Sequence, residues 1–370
     1  MSGRPVNRPM NRPILVMAGG TGGHVYPALA VARELESRSQ DVVWLGTQRG
    51  LESRVVPEAG IDIERISVKG LRRKGAFALL VAPFQLAWAL MQSLGVILRR
   101  RPVAVLGMGG FVSGPGGLAA WLTRRPLVIH EQNAAAGLTN RLLARLARVV
   151  LQAFPGSFNS RVRAETVGNP VREDIAAVAA PAARYRDRQG PLRLLVLGGS
   201  QGALALNRTV PAGLAKLPPA ERPIVKHQCG TLTLDIARDA YKQHGVEVEL
   251  LPYIEDMASV YAWADLVVCR AGALTVAEIC AVGLPALFVP YPGAVDDHQT
   301  ANARPLADAG AAVIIDESML SADVLAGQLR EWLAGRDALQ HKAETARQLA
   351  RPRALVRIAE HCLEQAGVAS

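Results

Sequence analysis

Three glycine-rich stretches each follow an apolar run and precede a segment with helical periodicity. Residues 18–24 read AGGTGGH, residues 107–117 read GMGGFVSGPGG, and residues 198–203 read GGSQGA. Glycine lets the backbone turn sharply and come close to a ligand, while the free amides and the dipole of a helix N-terminus attract anions. Any one of them could be a tight turn that binds nothing, but the recurrence favours phosphate-binding loops at three strand ends.

A fourth stretch, residues 268–278, reads VCRAGALTVAE. Gly272 lets the chain turn, the amides from Ala273 onward can meet a diphosphate, and Glu278 can accept hydrogen bonds from both hydroxyls of a ribose. A solvated or capping carboxylate is the alternative for Glu278. Arg270 fits either a surface cation or a charge beside the pyrophosphate. The pattern predicts a site for a nucleoside diphosphate.

General-base candidates occur at two positions. His24 ends the first loop, and the pair His130 and Glu131 ends a strand-like run at 127–130. Each could take a proton from an attacking hydroxyl. The alternatives are that His24 binds phosphate and that Glu131 orients His130 or caps a helix.

The motifs of two common nucleotide-using classes are absent. None of the glycine loops fits GxGxxG, and the second strand ends at Gly46 and Thr47 where a dehydrogenase needs a ribose-binding acid. No Gly-Lys-Ser/Thr follows any loop, which argues against a P-loop NTPase. The chain also lacks an Asp-x-Asp pair to bridge a metal to a diphosphate. We therefore expect no metal and no cofactor, with Arg172 and helix amides stabilising a leaving diphosphate.

Strand-like runs alternate with helical patterns in both halves of the chain, which predicts parallel sheets. At 370 residues the chain exceeds the usual size of one core. We expect an α/β fold of two doubly wound, Rossmann-like domains. Their expected bounds are 1–168 and 169–350, with residues 351–370 forming a helix that packs back toward the N-terminal domain.

The composition indicates which kind of partner the protein binds and which compartment it occupies. The formal net charge of +10 calls for an anionic partner, for which nucleotide, nucleic acid and anionic membrane all qualify. The 4 cysteines have no CxxC spacing, so we expect free thiols in a reducing compartment. Residues 1–13 lack the apolar core of a signal peptide, so we expect a protein that stays in the cytoplasm.

An uncharged segment at 75–98 lies between two basic triplets at 72–74 and 99–101. Its length would permit a transmembrane helix, but Pro83 and Gln85 interrupt it and both flanks are basic. A buried crossover helix is a second alternative. The flanking cations favour a helix that lies on an anionic membrane surface, with the region 72–101 as the contact.

Six motifs in order make the chain resemble the MurG family of bacterial N-acetylglucosaminyltransferases. They are the loops at 19–24, 109–115 and 198–203, HEQN at 130–133, GNPVR at 168–172, and residues 270–278. The resemblance implies a GT-B fold, with the two domains facing across a cleft. It also implies transfer of GlcNAc from UDP-GlcNAc to the MurNAc 4-hydroxyl of undecaprenyl-pyrophosphoryl-MurNAc-pentapeptide (lipid I to lipid II). We expect inversion at the anomeric carbon.

The resemblance also implies residue roles. The donor-binding residues would be Thr21, Gly22, Gly23, Asn133, Arg172, Ser200, Ile254, Ala273, Leu274, Thr275, Val276, Ala277, Glu278 and Gln299. Ile254 would meet the uracil through its backbone and side chain, and Gln299 would bind sugar hydroxyls. The acceptor pyrophosphate would lie at Gly20, His24, Gly109 and Gly110. Phe111 stands where the family often has Tyr, so it receives no polar role.

Other classes remain as alternatives. A UDP-GlcNAc 2-epimerase shares the fold and the sugar nucleotide but does not need the segment at 75–98, and a diacylglycerol glycosyltransferase fits the HEQN stretch less well. A non-enzymatic anchor or nucleic-acid binder would explain the charge but not the loops, so no nucleic-acid partner is expected. The resemblance implies a peripheral protein on the cytoplasmic face of the membrane, with other cell-wall and division proteins as further partners.

Overall fold

The computed structural model describes residues 12–68, 76–199, 202–294 and 297–368, with backbone alone at 76–80. The described chain forms two compact units. One comprises the residues up to Pro170 together with those from Arg353, and the other runs from Val171 to Pro352. The boundaries expected at 168/169 and 350/351 each lie two residues from these divisions.

The N-terminal unit contains a parallel sheet flanked by helices. Its strands are β1 (Ile14–Met17), β2 (Val42–Thr47), β3 (Asp62–Ile66), β4 (Ala104–Gly107), β5 (Leu127–Glu131), β6 (Val149–Gln152) and β7 (Ala164–Thr166). Its helices include α1 (Gly22–Ser37), α2 (Glu52–Glu58), α3 (Ala76–Arg100), α4 (Ser113–Leu122) and α5 (Leu138–Leu143). The strand order is β3-β2-β1-β4-β5-β6-β7, so the order reverses between β1 and β4.

The C-terminal unit repeats this plan. Its strands are β8 (Arg193–Leu197), β9 (Ile224–Gln228), β10 (Glu249–Leu251), β11 (Leu266–Cys269), β12 (Ala286–Phe288) and β13 (Ala312–Ile314), in the order β10-β9-β8-β11-β12-β13. Its α-helices are α6 (Glu173–Ala176), α7 (Pro181–Tyr185), α8 (Leu204–Ala215), α9 (Leu234–His244), α10 (Met257–Trp263), α11 (Ala273–Val282), α12 (His298–Asp308), α13 (Ala322–Leu333) and α14 (Arg336–Gln348). The order reverses between β8 and β11. This doubly wound arrangement in both units confirms the predicted fold class.

The central strands are apolar on both faces because helices cover both sides of each sheet. All four residues of β1 are fully buried, as are the four of β11. The last helix, α15 (Ala354–Ala366), belongs to the N-terminal unit and packs against α1, β4 and β5. Ile358, Ala359 and Cys362 of α15 lie fully buried in the core that α1 also lines.

Helix α3 connects β3 to β4, as a crossover helix must in a parallel sheet. Ala89, Val96 and Ile97 on its inner face are buried in the N-terminal core. Its outer face exposes Phe84 and Trp88, with 76% and 55% of their surfaces accessible, along with other apolar side chains. The helix is therefore half core and half apolar surface.

Candidate functional site

The first and third glycine-rich loops meet in the N-terminal unit, after β1 and β4. A β-carbon built on Gly110 would lie 2.2 Å from the carbonyl oxygen of Gly19, and one on Gly109 would lie 2.6 Å from Cδ2 of His24. Gly109 and Gly110 also have φ of +93° and +83°, in the region that favours glycine. Only glycine lets the two loops come this close. They lie at the switch point of the sheet, where α/β proteins bind ligands.

The amides of Thr21, Gly22 and Gly23 begin α1, a helix of 16 residues. Within the described structure none of these three amides has a hydrogen-bond acceptor. The amide of Gly20 differs, because it donates to Oε2 of Glu52 at 3.0 Å. The prediction that Gly20 binds pyrophosphate is therefore corrected for its amide, and the three amides that follow are the ones that could receive an anion.

His24 lies where the two loops meet and is partly exposed. Its Nδ1 is 3.4 Å from Oγ1 of Thr21, and its ring lies against Gly109. The imidazole can therefore reach a ligand held by either loop.

His130 and Glu131 lie beneath the surface, with 0% and 3% of their areas exposed. The His130 Nε2 is 2.9 Å from the carbonyl oxygen of Gly168, and burial lowers the pKa of His130 to about 4. The neutral ring donates this hydrogen bond. It has no exposed atom to offer a substrate.

Glu131 accepts hydrogen bonds from the backbone amides of Asn133 and Gly137 and from the side-chain amides of Asn133 and Asn140, at 2.9–3.3 Å. With its lone pairs engaged and its surface covered, it shapes the loop after β5. The prediction that His130 or Glu131 is the general base is wrong for this reason, and the same carboxylate holds Asn133 in place.

In the C-terminal unit the second loop and residues 270–278 follow β8 and β11, again at the switch point. Gly202 has φ +79° and packs against Cys229 O and Thr233 Oγ1 at the end of β9. The amides of Leu274 and Thr275 in the first turn of α11 have no acceptor in the described part of the chain. They can hold a diphosphate. The predicted residue Ser200 lies outside the described residues.

Glu278 receives a hydrogen bond of 2.9 Å from the hydroxyl of Tyr261, a fully buried side chain of α10. Burial raises the pKa of Glu278, while the Tyr261 hydrogen bond and the positive charge of Arg172 act in the opposite direction. Tyr261 occupies Oε2 and leaves Oε1 for a ligand hydroxyl. Sequence reasoning missed Tyr261 because nothing in the spacing of 17 residues links it to Glu278.

Three further predicted positions lie in the same unit. Gln299 accepts from the amides of Ala271 and Tyr291 at 3.3 and 2.9 Å, which leaves its NH₂ group to donate to a ligand. Arg270 donates to the Val289 and Pro290 carbonyls and pairs with Glu317, so it serves the fold. The side chain of Ile254 is nearly buried, with 6% of the residue exposed, so any contact with the uracil falls mainly to its backbone. The other donor-site predictions, Ala273, Val276 and Ala277, lie within α11.

The surface of the N-terminal unit has two further cavities. One of about 570 Å³ lies at the amino ends of β6 and β7, away from the glycine loops. The other, of about 600 Å³, is lined by residues 47–50, 66–68, 84, 85 and 88, beside the exposed face of α3.

Among the described residues no group of three His, Cys, Asp or Glu side chains could hold a metal ion.

Comparison with known proteins is consistent with this geometry. Residues 14–152 match the glycosyltransferase family 28 N-terminal domain, and residues 193–358 match the glycosyltransferase family 28 C-terminal domain. A protein of Alkalilimnicola ehrlichii is 60% identical, with 96% of this chain and all of that protein covered. One from Nitrosococcus oceani is 56% identical over 95% of this chain and 98% of its own. Both are named UDP-N-acetylglucosamine--N-acetylmuramyl-(pentapeptide) pyrophosphoryl-undecaprenol N-acetylglucosamine transferase.

Solved structures give the same assignment. The crystal structure of MurG from Acinetobacter baumannii matches with a TM-score of 0.85 and 40% identity, covering 96% of this chain and all of that one. A UDP-GlcNAc 2-epimerase from Neisseria meningitidis matches with a TM-score of 0.66, 95% of this chain and 99% of its own, but only 14% identity, which shows the fold alone. The chain therefore belongs to glycosyltransferase family 28 and, within it, to the MurG enzymes.

Proposed function

We propose that the protein transfers GlcNAc from UDP-GlcNAc to the 4-hydroxyl of MurNAc in undecaprenyl-pyrophosphoryl-MurNAc-pentapeptide, the step from lipid I to lipid II in peptidoglycan synthesis. One observation carries the proposal. At the switch point of the C-terminal unit, the amides of Leu274 and Thr275, which have no acceptor among the described residues, lie on the same helix as Glu278, the carboxylate that Tyr261 holds. A diphosphate next to a ribose is the ligand that this arrangement fits. The names of the relatives supply the sugar and the acceptor.

The donor would bind the C-terminal unit. Glu278 would accept a ribose hydroxyl, the amides of Leu274 and Thr275 would hold the diphosphate, and the NH₂ group of Gln299 would donate to the sugar. Arg172, whose positive charge acts on Glu278, would stabilise the charge that develops on the diphosphate. These roles need no metal ion.

The resemblance places Thr21, Gly22 and Gly23 among the donor-binding residues, but their amides lie in the N-terminal unit beside the loop of Gly109 and Gly110. We therefore reassign these three amides to the acceptor pyrophosphate, which would bind them together with that loop. Two helix N-termini, those of α1 and α4, begin there. The first favours negative charge through its free amides and its dipole, and the second through its dipole. A lipid pyrophosphate carries the charge that such a site requires.

With both substrates bound, the reaction is a single displacement at the anomeric carbon of GlcNAc. The oxygen of the MurNAc 4-hydroxyl forms a bond to the anomeric carbon while the bond from that carbon to the diphosphate oxygen breaks, which inverts the configuration. UDP leaves with the bonding electrons, and His24 takes the hydroxyl proton. Of the three predicted bases, His24 is the one that is not buried.

Membrane contact would come from the outer face of α3. Residues Val81–Arg100 are long and apolar enough to span a bilayer by length and composition. Because the inner face of α3 packs in the core, a helix lying in the membrane interface fits better than a spanning one. Exposed Trp121 of α4 and Leu138 and Leu142 of α5 would add apolar surface.

The basic flank of α3 requires a correction. Arg99 pairs with Glu64 at 2.7 Å, and Arg100 pairs with Glu64 and Asp62 at 2.7 and 2.6 Å. These two cations are neutralised within the fold, so they are weaker lipid contacts than predicted. The other predicted triplet, residues 72–74, lies outside the described residues.

The test is product analysis with labelled UDP-GlcNAc and a lipid I analogue, with and without EDTA. We expect label in the lipid product at the same rate under both conditions. Formation of UDP-ManNAc would indicate the epimerase alternative, and transfer to added diacylglycerol would indicate the glycolipid synthase. Loss of transfer in EDTA that Mg²⁺ restores would overturn the metal-independent mechanism.

A further inference from the structure

Glu52, the first residue of α2, is a completely buried carboxylate beneath the first glycine-rich loop. Its Oε2 accepts the backbone amide of Gly20 at 3.0 Å. Its Oε1 accepts the amide and the hydroxyl of Thr47, at 2.9 and 2.7 Å. One side chain thus joins the loop after β1 to the end of β2.

Three glycines make room for this carboxylate. A β-carbon on Gly50 would lie 2.1 Å from Oε2 of Glu52, one on Gly19 would lie 2.8 Å from Oε1, and one on Gly46 would lie 2.7 Å from Cγ. None of the three has a positive φ, so backbone conformation does not require glycine there. The space required by Glu52 explains why these positions carry no side chain.

The hydrogen bond to Gly20 determines which amides face the ligand. Gly20 has φ +95°, and its N–H points inward to Glu52 rather than to the surface. The next three amides, of Thr21, Gly22 and Gly23, have no acceptor within the described chain. A charge-assisted hydrogen bond is stronger than one between neutral groups, so Glu52 fixes the loop firmly.

We infer that Glu52 is a positioning residue for the acceptor: it fixes the first loop so that the amides of residues 21–23 are presented to the pyrophosphate. It touches no substrate itself. Its carboxylate, fully covered by protein, is stabilised by three hydrogen-bond donors. The identity of the anion rests on the proposed function, but the fixing of the loop does not.

The first test needs no variant and no substrate. In the wild-type full-length chain we expect the Gly20 amide to exchange with solvent at least about tenfold more slowly than the Gly22 and Gly23 amides, because it is hydrogen-bonded to a buried carboxylate. Residue-resolved amide exchange measures this. Equal rates at the three amides would overturn the inference.

The second test compares Glu52→Gln with Glu58→Gln, an exposed carboxylate on the same helix. Glutamine keeps the shape, but its NH₂ group must face an N–H or O–H donor. We expect the KM for a lipid I analogue to rise about tenfold in Glu52→Gln, with the KM for UDP-GlcNAc within about twofold of wild type. The Glu58→Gln variant should match wild type in both.

The kinetic comparison separates two failures. If the wild type transfers no GlcNAc to the lipid, the proposed function fails while the exchange result stands. If the wild type is active and Glu52→Gln has an unchanged acceptor KM, or if both KM values rise together, the positioning role fails.

A third test uses the space around the carboxylate. Gly50→Ala would place a methyl group against Oε2, so alone it should raise the acceptor KM about as much as Glu52→Ala. When Gly50→Ala is added to Glu52→Ala, it should change the acceptor KM by less than about twofold. If the effects of the two substitutions on the acceptor KM were fully additive, the contact would be contradicted. The thermal unfolding of each variant, followed by circular dichroism, reports whether the N-terminal unit is folded.

Discussion

Three glutamates show how the donors around a carboxylate decide its role. Glu52 and Glu131 are buried and their oxygens accept hydrogen bonds from loop amides, so both organise backbone. Glu278 is partly exposed, and within the described part of the chain it has one hydrogen-bond partner, on one oxygen, which leaves the other for a ligand. The sequence predicted that Glu278, one turn inside α11, accepts hydrogen bonds from a ribose, and that role stays a prediction. It did not indicate that Glu131 would be covered, because burial depends on residues far away in the chain.

His24→Asn tests the base. We expect kcat to fall about 100-fold or more, with the acceptor KM within about threefold, since a general base contributes at least that factor to the rate. Steady-state kinetics with a lipid I analogue measures both. His244→Asn, at the end of α9, is the control. A large rise in KM with kcat nearly unchanged would show that His24 binds phosphate instead.

Tyr261→Phe tests the orientation of Glu278. Losing the hydroxyl removes a hydrogen bond that lowers the pKa of Glu278, so that pKa should rise further. UDP affinity should fall about tenfold at neutral pH, and its decline on acidification should begin at a higher pH than in wild type. Calorimetric titrations between about pH 5 and 8 measure both effects.

The matched control for that substitution is Tyr241→Phe, which removes another buried hydroxyl of the same unit, hydrogen-bonded to His227 at 3.0 Å. It should leave the UDP affinity unchanged. If the two variants behave alike toward UDP, Tyr261 has only a structural role.

His130 makes the N-terminal unit sensitive to acid. Its pKa is about 4 in the folded chain against 6.5 unfolded, so the unfolded chain binds the extra proton first as the pH falls. Above about pH 6.5 the free energy of unfolding is not reduced by this residue, and by pH 4 the protonation of His130 in the unfolded chain lowers it by about 3 kcal/mol. Urea unfolding at several pH values should show a slope shallower by nearly one proton in His130→Gln. An unchanged slope would contradict the assignment, since His227, with a pKa of about 3, is present in both proteins.

At the scale of elements, the alternation of strands and helices was predictable because parallel strands buried on both faces are continuous apolar runs. The run at 14–17 is β1, and the pattern at 322–333 is α13. Short or polar elements could not be predicted in this way. Strand β7, for example, has three residues, and its Ala164 and Thr166 are only partly buried. The role of α3 was also ambiguous, since length and composition alone do not distinguish a buried helix from one with an exposed apolar face.

Phe84→Ser with Trp88→Ser tests the outer face of α3. Removing two exposed apolar side chains should weaken binding to anionic vesicles at least about tenfold, because burying each in the interface contributes on the order of 1.5–3 kcal/mol. Vesicle sedimentation measures the partition. Arg99→Gln with Arg100→Gln should change it less than about threefold, since these cations are already paired. The reverse ranking would show that charge at the end of α3 drives membrane binding.

At the scale of the whole molecule, the first six strands of each unit have the same order, and the N-terminal sheet adds β7 at its edge. Each unit places glycine-rich helix N-termini at its switch point. The duplication was visible in the sequence as recurring loops after apolar runs. What the loops bind differs through a few side chains: Tyr261, Glu278 and Gln299 in the C-terminal unit, and His24 and Glu52 in the N-terminal unit. Those differences depend on contacts between distant residues, such as Glu52 with Gly20 and Tyr261 with Glu278, which spacing alone did not indicate.

The most direct measurement of the central claim is a crystal structure with UDP-GlcNAc and a soluble lipid I analogue bound together. We expect a ribose hydroxyl within hydrogen-bond distance of Glu278 and the donor diphosphate at the amides of Leu274 and Thr275. We expect the lipid pyrophosphate at the amides of residues 21–23. A donor bound away from α11, or a lipid pyrophosphate bound away from the first loop, would contradict it.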